Sequence, residues 1–277
     1  MRRRILLVPA LALACAVWAV TLASGAGPSP GLSTGQGVVS GGVRYVSHPN
    51  DSASSLVAID RETGRVLRQL TLKGMWGIPL VAYDGTAEGL LPAHRLLLAT
   101  SLFSGQHLRT TTTFKIVDVR RMKVTRTIRL QGAFSYDALS RDGRYLYLVE
   151  YVTPEDPSVY RVRAYDLRAS KLLAKIVTDK RSWETGMRGI PMARTWKSAW
   201  AYTLYGGNDR PFIHALNTRG IEAVCIFLPW QGTPQGMFDF RLRIDGDGHL
   251  VVRGPKGRAL VVIDTESYKI LSAVKNP

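Results

Sequence analysis

Cysteine is nearly absent: the 277 residues hold Cys15 and Cys225 only. That excludes a disulfide framework, and with Cys15 in an N-terminal apolar stretch, removal of that stretch leaves Cys225 alone. Cys225 sits in the strand-like run Ala223–Leu228 and reads as a buried, inert thiol, with no activating base beside it in the sequence. Histidine is scarce too. His48, His94, His107, His214 and His249 show no pair at zinc-ligand spacing. Acidic side chains are outnumbered, 21 against 37 basic, for a net charge of +16. Such a balance restricts partners and solubility and leaves the fold open. Nothing in the chain keeps a 3.6-residue apolar period beyond two turns, so an all-β chain is expected.

What is present begins with Met1-Arg2-Arg3-Arg4, an apolar run Ile5–Leu22 and the small residues Ala23-Ser24-Gly25-Ala26. This pattern reads as a secretory signal over residues 1–26, or as an uncleaved anchor helix. Removing it leaves a net charge of about +13. Residues 27–37, rich in Gly, Ser and Pro, read as a linker, and 38–277 as one domain. The chain is expected to be exported, extracellular or in the cell envelope, and so away from nucleic acid.

A hairpin signature recurs five times: Leu56–Leu67, Phe114–Val124, Val162–Leu172, Ile213–Ala223 and Leu260–Ile270. In each, an Asp or Asn ends the first strand: Asp60, Asp118, Asp166, Asn217 and Asp264, at spacings of about 47 to 58 residues. These side chains read as turn formers that accept backbone N–H bonds two or three residues on. A second hairpin precedes each copy, clearest in Tyr136–Val149 around Asp142-Gly143. In the second unit it is Leu80–Asp84 with Leu96–Thr100, carrying the insertion Gly85–His94. The expected fold is therefore a β-propeller of five four-stranded blades, whose stacking buries faces that no blade covers alone. Ser140–Tyr147 and Val261–Glu266 resemble the repeats of YVTN/WD40-like propellers, and Gly41–Val274 is similar to exported bacterial propellers of unassigned activity. That resemblance implies the fold and carries no activity. The Trp-Asp dipeptide of WD40 blades and the Ser-x-Asp-x-Gly-x-x-Trp box of sialidases are both missing.

Short elements precede the first strand of each blade: Gly74–Gly77, Gly132–Ser135, Gly186–Gly189 and Gly236–Asp239. In a propeller they would gather at the mouth of the central channel. Trp76, Tyr136, Arg188 and Phe238, with Asp137 and Asp239 as polar groups, are the candidate ligand site; the alternative is that these side chains plug the channel. Asp137 with Glu150 is a candidate carboxylate pair, which would need a separation of roughly 5–9 Å; the alternative is a Glu150 paired with arginine. Asp245-Gly246-Asp247-Gly248-His249 offers oxygen ligands to calcium, yet it occupies a hairpin turn, so no metal site and no cofactor is expected. The basic residues Arg161, Arg163, Arg126, Arg129, Arg241 and Arg243 read as a solvated face or as a patch for an anionic envelope polymer. The expected function is a non-enzymatic binding or scaffold module, monomeric, with an anionic polymer or a protein as partner. The rival is a hydrolase or lyase at the channel mouth.

Overall fold

The structure is a computed structural model that describes residues 29–153, 156–181, 186–207, 209–275 and 277. The expected signal or anchor, residues 1–26, lies outside the described residues. No helix among the described residues is long and apolar enough to cross a membrane.

The strands form five four-stranded antiparallel sheets and one small hairpin. Blade 1 is Val38–Ser40, Val43–His48, Ala53–Asp60 and Val66–Lys73. Blade 2 is Leu90–Leu91, Arg95–Ala99, Thr111–Asp118 and Lys123–Gln131, and blade 3 is Ala133–Leu139, Tyr145–Thr153, Asp156–Asp166 and Lys171–Val177. Blade 4 is Ile190–Lys197, Trp200–Gly206, Phe212–Asn217 and Glu222–Phe227, and blade 5 is Arg241–Ile244, Leu250–Arg253, Ala259–Ile263 and Ile270–Ala273. This is the expected β-propeller of five blades.

The repeated turn is built as its sequence requires. The Oδ1 atom of Asp60 accepts the N–H groups of Glu62 and Thr63, and that of Asp166 those of Arg168 and Ala169. Asp118 and Asn217 do the same two and three residues on, and Asp264 accepts from Ser267. Four residues beyond each of them the chain turns left-handed, at Gly64, Met122, Ser170, Ile221 and Tyr268, with φ between 49° and 70°. Only one of the five is glycine. At a β-branched residue such as Ile221 this conformation is costly, so the turn is imposed by the Asp or Asn bonds and by the strands on either side.

Alternation of side chains across each sheet gives every blade an apolar face toward its neighbour. Leu56, Ala58, Ile78, Leu96 and Leu98 fill the seam between blades 1 and 2, and Leu97, Ile116, Phe134, Leu146 and Leu148 that between blades 2 and 3. Tyr147, Val162, Ala201 and Leu216 fill the seam between blades 3 and 4, and Leu204, Ile213, Phe240, Leu250 and Val252 that between blades 4 and 5. Each large aliphatic group so removed from water stabilises the fold by about 1.5–3 kcal/mol. Among the described residues no such cluster joins blade 5 to blade 1. Their outward faces carry exposed Arg44 and Val39 on one side and exposed Arg241 and Arg243 on the other.

Two segments depart from the expected layout. The first hairpin of blade 2 pairs Leu90–Leu91 with Arg95–Ala99, turning at Ala93 and His94, and leaves Leu80–Asp84 outside the blade. The sequence pattern could not separate the two apolar runs, because both Leu80–Val81 and Leu90–Leu91 suit a strand. Residues 29–37 dock against the seam of blades 1 and 2 instead of running free. The Ser33 N–H donates to Ile78 O, and the Ser47 hydroxyl donates to Ser33 O while accepting the Ile78 N–H. Gly37 is obligatory there: with φ of 64°, a Cβ would stand 1.9 Å from Tyr45 O.

Candidate functional site

The segment Gly77–Gly89, released from blade 2, runs along the axis. The Tyr83 and Asp84 N–H groups donate to Pro191 O and Met192 O on the innermost strand of blade 4. The Tyr83 ring meets Phe238 edge-on, 5.5 Å between centroids. Gly85 makes the tight turn, where a Cβ would sit 2.5 Å from Gln36 Oε1. Further along, Glu88 reaches Tyr136 on the innermost strand of blade 3 and Arg194 and Trp196 on that of blade 4.

Arg194, 1% exposed at its side chain, organises what surrounds this segment. Its Nε donates to Glu88 Oε1 at 3.2 Å, its Nη1 to Asp137 Oδ1 at 3.1 Å and to Thr203 Oγ1, and its Nη2 to Asp137 O at 2.7 Å. Its backbone N–H donates to Asp84 Oδ2. Trp196 Nε1 donates to Glu88 Oε1 at 2.7 Å, and the Tyr136 hydroxyl to Glu88 Oε2 at 3.2 Å. Burial opposes the charge on Arg194. The carboxylates of Glu88 and Asp137 outweigh that penalty and hold its pKa above the ordinary guanidinium range. Burial, reinforced by Glu88, pushes the Tyr136 phenol well up, so it stays a hydrogen-bond donor. Asp137 is aimed here by a β-bulge: the register slips between Tyr136 and Ala138, leaving Asp137 unpaired and turned to the axis.

Beside this cluster lies a cleft of about 320 Å³, lined by Val38, Val39, Glu88, Tyr136, Leu139 and Trp196 among others. Leu139 and Trp196 stand at the C-terminal ends of their strands. The cleft is therefore at the opposite end of the axis from the mouth that the sequence pointed to.

Of the six expected site residues, the structure brings Tyr136 and Asp137 into the axial cluster. Trp76 is buried in the seam of blades 1 and 2, its Nε1 donating to Lys73 O and its ring under Lys115 Nζ at 4.5 Å. Arg188 is exposed. Phe238 and Asp239 are exposed on the short 3-10 turn Met237–Asp239, with Phe238 against Tyr83. Glu150 is clamped by Arg161 Nε at 2.6 Å and Arg163 Nη1 at 2.8 Å, which is its arginine-paired reading. Asp245 Oδ1 accepts the N–H groups of Asp247 and His249, so that triplet closes a turn. Cys225 is half-buried rather than buried. Asp84, Glu88, Arg194 and Trp196 had no motif to mark them. The one sequence signal was the long insertion itself, since long loops often carry functional contacts.

The five sheets and the segment packed along their axis define a β-propeller with a filled axis. No family model and no curated protein matches the chain. Among solved structures, it is similar to the β-propeller domain of Cps50 (Swd1) from Myceliophteria thermophila, with a TM-score of 0.48 at 14% identity over 88% of this chain and 71% of that one. It is similar to TolB from Acinetobacter baumannii, with a TM-score of 0.44 at 16% identity over 74% and 45%. It is also similar to dihydro-heme d1 dehydrogenase NirN in complex with DHE, with a TM-score of 0.49 at 13% identity over 84% and 44%. The chain spans less than half the length of the last two, and these likenesses concern fold alone.

Two outcomes follow from the cluster. Replacing Arg194 by Met strands buried carboxylates, and should cost about 3–5 kcal/mol in urea unfolding; a cost below about 1 kcal/mol would contradict the pairing described. His214, 1% exposed and cross-strand from Thr203, has its pKa pushed down by burial to about 4, against a partial pull upward from Asp137. Because the unfolded state takes up this proton first, the stabilisation is complete above pH of about 6.5 and is lost toward pH 4, a change of about 3 kcal/mol. Stability measured against pH should lose that part of its slope in H214F.

Proposed function

We propose that this chain is an exported propeller of the YVTN/WD40-like kind that serves as a binding or scaffold module at the cell envelope. The observation that carries this reading is the state of the axial carboxylates. Glu88 has both oxygens engaged by Arg194, Trp196 and Tyr136, and Asp84 accepts the Arg194 N–H. Asp137 holds Arg194 through Oδ1, while its Oδ2 is buried without a partner among the described residues; exposed arginines and lysines stand on the outside. A hydrolase or lyase that worked through Asp137 and Asp239 would need those carboxylates open to substrate at the channel mouth. Asp137 is 4% exposed under Arg194, and Asp239 sits exposed on a surface turn, so the two do not suit a shared general acid–base role. The N-terminal residues support export, and the surplus of positive charge supports an anionic partner.

Unlike a single shaped pocket, a basic surface attracts through its field, which salt screens: the Debye length falls from about 30 Å at 0.01 M to about 8 Å at 0.15 M. Retention of the purified full chain on surfaces coated with polyphosphate or polyglutamate should fall by about tenfold or more across that range. Retention that ignores salt, or none on either polyanion, contradicts the proposal.

A further inference from the structure

The seam between blades 3 and 4 ends in a cleft of about 460 Å³, lined by Ser140, Arg141, Asp142, Arg144, Tyr145, Thr218 and Arg219. We infer that this cleft is a phosphate-binding site, made by the Ser140–Tyr145 turn of blade 3 and the Thr218–Arg219 turn of blade 4, and that its occupant is a phosphate-bearing chain. This rests on, and narrows, the anionic partner proposed above.

Three guanidinium groups border the cleft, and they differ in what they already hold. Arg144 is spent: Nε and Nη2 donate to Asp166 Oδ2 at 3.3 and 3.2 Å, and its guanidinium lies 4.8 Å from the Tyr145 ring centroid. Arg141 and Arg219 are exposed, and among the described residues their side chains hold no hydrogen bond or ion pair. The one carboxylate in the lining, Asp142, is turned into its own loop, where Oδ1 accepts the Ser140 hydroxyl at 2.6 Å and the Arg144 N–H at 3.0 Å. Those two bonds hold its pKa below the usual carboxylate range. Asp142 stays ionised, so with Arg144 matched by Asp166 the lining keeps Arg141 and Arg219 against one carboxylate, a surplus of about one positive charge at the recess.

The recess is also rigid, which lowers the cost of binding. The Tyr147 hydroxyl, on a side chain with no exposure, crosses the seam to donate to Thr218 O at 3.0 Å. The Thr218 hydroxyl donates to Ala199 O, and Asn217 Oδ1 accepts the Arg219 and Gly220 N–H groups. Beneath lie Tyr147, Ala164, Ala201 and Leu216 of the apolar seam. Guanidinium groups present a planar fork that matches phosphate oxygens in pairs, and two forks across one cleft suit successive phosphates of one chain. A recess excludes a flat bilayer more than a single strand, so the polymer is the source we assign over a lipid headgroup.

The test compares the full wild-type chain with R141E/R219E, and with R65E/R258E as a charge-matched control at exposed arginines outside both this cleft and the basic strand faces. Titration calorimetry would use soluble polyphosphate, and co-sedimentation would use vesicles of phosphatidylglycerol with phosphatidylcholine. We expect R141E/R219E to weaken polyphosphate binding by about 30-fold or more, against about threefold for the control, with two guanidinium–phosphate pairs removed. Equal losses in the two variants would overturn the site while leaving the general attraction of a basic surface standing. Absence of wild-type binding to any polyanion would instead defeat the wider proposal. Vesicle binding that depends on Arg141 and Arg219 while polyphosphate binding does not would overturn the polymer assignment. Unchanged thermal unfolding of both variants would confirm that the exposed turns had been altered without loss of fold.

Discussion

A single buried cation holds the middle of this molecule together. Arg194 has almost no contact with water, so its charge survives only because Glu88, Asp137 and the Asp137 and Thr203 oxygens surround it. Those partners come from an insertion in blade 2 and from the innermost strand of blade 3, while Arg194 belongs to blade 4. The guanidinium therefore ties three blades at the axis, where the sheets are narrowest and offer the least apolar area to one another. Trp196 and Tyr136 add their donors to Glu88 and close the cage on two sides.

Away from the axis the fold is held by different physics. The seams are apolar, and each blade turn is set by a short polar side chain that satisfies backbone N–H groups locally. This division explains why the repeats tolerate so much variation. A seam needs only volume and alternation, and a turn needs only Asp or Asn and a chain that bends left-handed four residues later. The axis permits no such freedom, since a buried charge with one partner missing is costly.

The repeats were legible in the sequence because alternation and turn chemistry are local. Asp60, Asp118, Asp166, Asn217 and Asp264 announced both the blade period and their own role. Tyr136 and Asp137 were legible as residues near the axis for the same reason, since they lie on an innermost strand. Arg194 and Glu88 were not. They lie 106 positions apart in the chain, and their pairing exists only once blades 2, 3 and 4 stand side by side. The exchange of Leu80–Asp84 for Leu90–Leu91 as the strand of blade 2 was likewise undecidable locally. Two similar apolar runs compete there, and the winner is set by the hydrogen bonds that Tyr83 and Asp84 make to blade 4. Trp76 and Phe238 share the position of Phe134 in the repeat, one residue pair before Tyr136: Trp76 and Phe134 turn into the blade seams, and Phe238 stays exposed against Tyr83.

The centre of the fold depends on the Tyr83–Glu88 segment being a fixed part of the axis and not a surface loop. Amide hydrogen exchange at Tyr83, Asp84 and Arg194 reads this directly, because their N–H groups are the ones bonded to Pro191 O, Met192 O and Asp84 Oδ2. Protection comparable to that of the central-strand amides of blade 4 is the predicted result. Exchange as fast as in the exposed Gly246-Asp247 turn would contradict it.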